Sequence, residues 1–299
     1  MSNLLKISNF ATFILLFIIA NCELYADYFR TVNQYKIYGQ EKDSSIINFL
    51  QGVVFESNAK YEKFFLYSIK GPVRIRLTSS EKEYARITSK SVPEWSSGVA
   101  FVQQKIIILK PGKYFDKTEY ERLLMHEIVH IFLSEKIGIG KIPLWLNEGT
   151  AMYLSQESIS WNEGIILGNA IVSGNLLSFS EMDSLLKFGQ IKARIAYLES
   201  FLAVQFLINR FGEKALLNIL GDFSSKLSAN EIFLKNIGMD LIDFEIDWYA
   251  FVKDKYRWMV WMQFENVFWF VLVLIIIVSF ISIKLRNRRT IKNWENEND

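Results

Sequence analysis

Two histidines are present in 299 residues, and they stand four apart, at His126 and His130, with Glu127 directly after the first. On an α-helix, positions i and i+4 lie about 40° apart around the axis, so both imidazoles can reach one Zn²⁺ at about 2.0–2.1 Å. Glu127 points in a neighbouring direction and can approach a metal-bound water without being a ligand, which is the placement a general base needs. Two imidazoles and a carboxylate on an apolar helix would each need a partner, because an unpaired charge is costly to desolvate. A single metal ion meets all three needs. Zinc then requires a third protein ligand, and with both histidines used and Cys22, the lone cysteine, near the N-terminus, that ligand must be a carboxylate. Glu148 is the choice: a short loop and a turn or two of returning helix bring it back beside the imidazoles.

The elements that must position these groups can be read around them. Asp116 or Thr118 can cap the metal helix, with Glu119 or Glu121 completing a capping box, and Gly138 or Gly140 can end it. Leu123, Leu124, Met125, Ile128, Val129, Ile131, Phe132 and Leu133 surround the motif, so the helix is expected to be buried nearly all round. The returning helix is expected from Pro143 to Leu154. Upstream, the pattern gives a short strand at Tyr35–Tyr38, a helical stretch at Ser44–Tyr67, an alternating strand at Val73–Leu77 and a helical piece from Ser80 to Ile87. Trp95–Phe101 and Lys105–Leu109 read as a hairpin or two adjacent strands. If one of them is the edge strand beside the metal helix, its free backbone groups could pair with an extended peptide. Downstream, helices are expected at Ser178–Phe188, Arg194–Phe211, Glu213–Leu220, Asn230–Asn236 and Leu241–Lys253, a lobe that would form one wall of the site.

His126-Glu127-Ile128-Val129-His130, followed by Trp145-Leu146-Asn147-Glu148-Gly149-Thr150-Ala151, resembles the gluzincin metallopeptidases, in particular the peptidase MA-like group. The resemblance implies zinc held by His126, His130 and Glu148, with Glu127 activating water for attack on a peptide carbonyl, and a peptide or protein as substrate. It implies an α+β fold: a zincin-like domain with a mixed sheet, an active-site helix and a C-terminal helical lobe. Looser likeness extends over about Tyr35 to Tyr256. Such hydrolases also need a donor to the oxyanion. Tyr197 is similar in placement to a tyrosine that related zinc peptidases use for this, with Tyr153 the weaker candidate. The ring nitrogens not facing the metal need partners of their own, for which Glu181, Asp183 or a backbone carbonyl are the candidates.

The termini suggest a location. Residues 1–26 carry Lys6, the apolar run Phe10–Ala20 and Leu24-Tyr25-Ala26, which reads as a secretory signal, with Cys22 either removed with it or lipidated. Near the other end, Val267 to Ile283 carries no charge and is expected to span a membrane, within a segment 258–284 that begins with the interface aromatics Trp258, Trp261 and Phe264. Lys284, Arg286, Arg288, Arg289 and Lys292 follow, and the positive-inside bias puts the tail 285–299 in the cytoplasm and the domain 27–257 outside it. A net charge of +2 argues against a nucleic acid partner. A competing reading from another class is a non-catalytic, membrane-tethered binding module that keeps a structural zinc site.

Overall fold

The computed structural model describes residues 26–88, 92–93, 96–111, 116–138, 140–262 and 264–297, with side chains except at 261–266 and 291–297. The signal segment before Ala26 and Cys22 lie outside the described residues, as do Trp95 and the side chains of Trp261 and Phe264. The chain forms two compact units, one of residues 1–159 with 176–250, the other of residues 160–175 with 251–299.

The first unit is built on a five-stranded mixed sheet whose strands lie in the order Tyr28–Val32, Tyr35–Gly39, Val73–Leu77, Ile106–Leu109 and Gly98–Phe101. β1 (Tyr28–Val32) and β2 (Tyr35–Gly39) form an antiparallel hairpin whose tight turn places Asn33 at φ 48°, a left-handed conformation that asparagine tolerates better than most residues. The chain then crosses through α1 (Ser44–Phe65) to β3 (Val73–Leu77), parallel to β2. α2 (Glu81–Thr88) follows, and its Glu83 pairs at 2.8 Å with Arg76, a fully buried guanidinium of β3. β4 (Gly98–Phe101) and β5 (Ile106–Leu109) make the expected hairpin, β5 lying parallel to β3 and leaving β4 as an edge. The four residues of β5 are all buried, as befits a strand inside the sheet with an unbroken apolar run.

α3 (Lys117–Ile137) carries the two histidines. The Asp116 carboxylate accepts the backbone N–H groups of Thr118 at 2.8 Å and Glu119 at 3.3 Å, and Gly138 ends the helix at φ 63°. No residue from Tyr120 to Ile137 is classed as exposed, in line with the apolar surroundings of the motif. α3 packs against α1, where the Phe132 ring stacks on Phe65 at 5.3 Å and meets the edge of Tyr61 at 5.8 Å. α4 (Leu144–Leu154) returns after a short loop, and its last carbonyl, that of Leu154, accepts from Tyr61 Oη and Lys60 Nζ of α1.

α6 (Phe179–Met182), after α5 (Trp161–Val172) of the second unit, is a single turn followed by a 3-10 turn at Leu185–Lys187, where one helix over Ser178–Phe188 is expected from sequence. α7 (Gln190–Phe211), α8 (Glu213–Asp222), α9 (Ala229–Ile237) and α10 (Leu241–Tyr256) complete the helical part. Trp145 of α4 stacks on Phe179 at 4.1 Å, and Phe233 and Phe244 close an aromatic core around it. α11 (Phe264–Glu297) contains one stretch, Val267–Thr290, long and apolar enough to cross a membrane, and its most apolar window is wholly unburied.

Glu199 of α7 lies fully buried, with Oε2 accepting from the Leu177 backbone N–H at 3.1 Å and Oε1 without a hydrogen-bond partner among the described residues. Burial pushes its carboxyl up to about 8 from an ordinary 4.5. Between those values the native chain holds a proton that the unfolded chain has released, so stability falls as pH rises through that window. The expected loss is on the order of a few kcal/mol between about pH 5 and pH 8. Thermal unfolding at the two pH values should show it, and Glu199→Gln should remove most of the difference.

Candidate metal centre

The spacing on α3 stacks the two imidazoles with centroids 4.8 Å apart and planes at 78°. α4 then brings Glu148 across: its Oε2 lies 3.3 Å from His126 Nε2 and 3.6 Å from His130 Nε2. One ligand atom from each of the three residues lies within 4.8 Å of the others.

The opposite ring nitrogens are also occupied. His126 Nδ1 is 3.3 Å from Glu157 Oε1, and His130 Nδ1 is 3.2 Å from Asn147 Oδ1. Neutral rings that donate from Nδ1 to these oxygens direct both Nε2 lone pairs at the Glu148 carboxylate, so three acceptors converge on one point in a buried setting. Such a convergence requires a cation. Without a metal, protons serve: burial opposes charging of His126 and His130, but the Glu148 carboxylate, joined at His126 by Glu157, outweighs it and raises both rings. Burial likewise opposes ionisation of Glu148, yet the two imidazoles hold its carboxyl well below the usual range. A two-imidazole, one-carboxylate donor set suits Zn²⁺, and the donor chemistry here fits it.

Glu157 and Asn147 are not among the partners expected from sequence. Glu181 instead completes a capping box with Ser178, and Asp183 accepts the Leu144 backbone N–H at 2.7 Å, holding the start of α4. Glu157 reaches back because the chain reverses after α4 with Gln156 at φ 62°, and no periodicity in the sequence signals that turn. Asn147 has a simpler signal: it adjoins Glu148 at the start of the returning helix. Replacing Glu157 or Asn147 by Ala is expected to weaken zinc affinity by about 10- to 100-fold through loss of ring orientation, measurable by competition with a chelator.

Glu127 turns away from this convergence toward β4. Its carboxylate accepts a hydrogen bond from the Ala100 backbone, and burial raises its carboxyl against the lowering influence of His130 and His126. Gly98 makes room for it, since a Cβ there would stand 2.9 Å from Glu127 Oε1. The general-base candidate therefore sits between the histidines and an edge strand. Tyr197, on α7, is within electrostatic reach of the same group: burial first, then the charges of Glu148, Glu127 and Glu157, keep its phenol strongly protonated. Tyr153 responds to burial and to Glu213 rather than to these carboxylates.

Fold and site together define a mixed α/β protein, mostly helical, with a buried His-His-Glu group able to hold a metal ion. A family model of the Peptidase MA superfamily matches residues 67–254, and the chain belongs to that superfamily. A comparison with curated proteins gives no match. Among solved structures, the chain is similar to yeast LTA4 hydrolase in complex with Bestatin, at 15% identity and a TM-score of 0.38, over 78% of this chain and 39% of that one. The chain thus spans well under half the length of that relative.

Proposed function

We propose that the chain is a membrane-anchored zinc metallopeptidase with a zincin-like catalytic domain. The observation that carries the reading is the placement of Glu127, hydrogen-bonded to edge strand β4 on one side and adjoining the His126, His130 and Glu148 donors on the other. His126, His130 and Glu148 would hold zinc, which when bound supplies a Lewis acid and makes water a nucleophile near neutral pH.

The chain's own groups do the rest. β4 is the last strand of the sheet among the described residues, with its Ala100 backbone meeting Glu127, and an extended peptide can lie along it as an added strand. That pairing sets the scissile carbonyl beside the metal donors. The Glu127 carboxylate takes the proton of the attacking water at its oxygen and delivers it to the leaving amine. Tyr197, a phenol that keeps its proton, donates to the oxyanion that develops on the carbonyl. Glu157 and Asn147 keep the imidazoles turned so that Nε2 faces the donors.

The same reading assigns residues 1–26 to a signal segment, 27–257 to an extracytoplasmic peptidase domain, 258–284 to the membrane span and 285–299 to a cytoplasmic tail. It is supported by the helical stretch Val267–Thr290, uncharged as far as Ile283, and the basic residues that begin at Lys284. The test is hydrolysis of a mixed peptide pool by the full chain in vesicles, set against the Glu127→Gln chain. Equal activity in the two would overturn the enzymatic reading.

A further inference from the structure

The second unit holds a helix that the peptidase site does not use. α5 begins with a capping box in which the Ser160 hydroxyl and backbone are tied to Glu163, and Glu163, the only charged residue in 160–175, is itself buried in that cap. The exposed face of α5 therefore carries no charge. It carries Trp161, 50% exposed, Ile166 and Val172, 61% exposed, with the uncharged Asn162 and Asn169 between them. A water-facing helix would ordinarily show charged residues there.

The adjoining face of α5 packs against the segment that leads into α11. Gly164 and Gly168, four apart, let the end of α10 and the 3-10 turn Arg257–Met262 come close: a Cβ at Gly164 would stand 2.5 Å from Met259 Cε, and one at Gly168 would stand 3.0 Å from the Tyr256 carbonyl oxygen. At the rim of this contact the Trp161 ring meets Trp258 edge to face at 6.3 Å, and Trp258 is itself 51% exposed. Beside Trp258 the exposed residues are Lys253, Asp254, Lys255 and Arg257, a net basic group. Val267, the first residue of the apolar stretch, is nine residues further along.

From this juxtaposition we infer that α5 is an interfacial membrane helix: its uncharged face, with the Trp161–Trp258 pair, lies in the headgroup and upper acyl region of the bilayer that α11 enters. The inference rests on the reading of Val267–Thr290 as a membrane span. Tryptophans favour that depth, and Lys253, Lys255 and Arg257 match anionic headgroups. The covering partner is a lipid surface because the uncharged face, with its exposed Trp161, Ile166 and Val172, adjoins the approach to the span, against which α5 is held by the two glycines.

The experiment uses the full chain, with Cys22→Ser so that one introduced thiol is unique, reconstituted in vesicles of phosphatidylcholine with phosphatidylglycerol. Nitroxide labels are placed singly at Ile166→Cys and Val172→Cys on α5, at Ile276→Cys in the span, and at Lys214→Cys on exposed α8 as the aqueous reference. The ratio of oxygen to nickel-chelate collision rates reports lipid exposure. At Ile166 and Val172 it is expected to exceed the Lys214 value by about threefold or more, and to fall short of Ile276, as for a label a few ångströms into the acyl region. Ile276 in lipid with both α5 labels at the aqueous value would overturn this inference and leave the span standing. An aqueous value at Ile276 would remove the span and the inference with it. Labels on α5 shielded from both collision partners would show a protein surface covering the face, which also overturns it.

Discussion

Glu127→Gln should lower peptide hydrolysis by about 10³- to 10⁴-fold while leaving zinc content and thermal stability close to those of the parent chain. The size follows from what is removed. The amide is nearly isosteric and can still accept the hydrogen bond from the Ala100 backbone, so the contact with β4 persists. The three donors that converge on the metal position are untouched, since Glu127 is not one of them. On the proposed mechanism, what is lost is the capacity to take a proton from water and return it to the leaving amine. Reduced kcat with nearly unchanged KM on one peptide, together with unchanged metal by elemental analysis, is the expected pattern. Loss of zinc in this variant would mean that Glu127 is a ligand, contrary to its placement. Retained hydrolysis with retained zinc would remove Glu127 as the base, and absence of hydrolysis in both chains with retained zinc would favour the reading of a binding module with a structural zinc site.

How much of this was legible in the sequence depends on how local each signal is. The donors His126, His130 and Glu148 were readable because helical spacing is a local rule and a missing third ligand is a count. Val73–Leu77 was placed residue for residue, since its alternation matches a strand with one face more deeply buried. β1 escaped because its residues are only partly buried and form the outer edge of the sheet, so composition gives little contrast. α5 gives a weak signal for another reason: its exposed face carries no charge, with Trp161, Ile166 and Val172 set beside Asn162 and Asn169, and two glycines interrupt the helical pattern. The expected single helix over Ser178–Phe188 breaks near Asp183, whose carboxylate caps Leu144 in a contact 39 residues distant in the chain. Glu157 belongs to the same kind, for its approach to His126 depends on a reversal at Gln156 that only the folded backbone reveals.

Gly149→Ala is expected to cost the protein about 3 kcal/mol of stability or more and to weaken zinc binding with it, although the residue touches no ligand. Gly149 follows Glu148 on α4, and α4 lies directly against α7. A Cβ at this position would stand 2.1 Å from the Ser200 carbonyl oxygen and 2.7 Å from its carbon, well inside van der Waals contact. The obstructing atoms are backbone within a buried helix, so no rotamer change can relieve the clash; the helices must separate. Separation opens the packing of Leu146, Ala151, Ala203 and Val204, all buried, and shifts Glu148 relative to the histidines on α3. It also moves Tyr197, three residues before Ser200 on α7, away from the carboxylates it faces. Both effects come from one displacement, so the fall in thermal midpoint and the fall in zinc affinity should appear together. Gly149→Val should enlarge both. A Gly149→Ala chain with parental stability and zinc affinity would show that α4 and α7 do not approach this closely in solution.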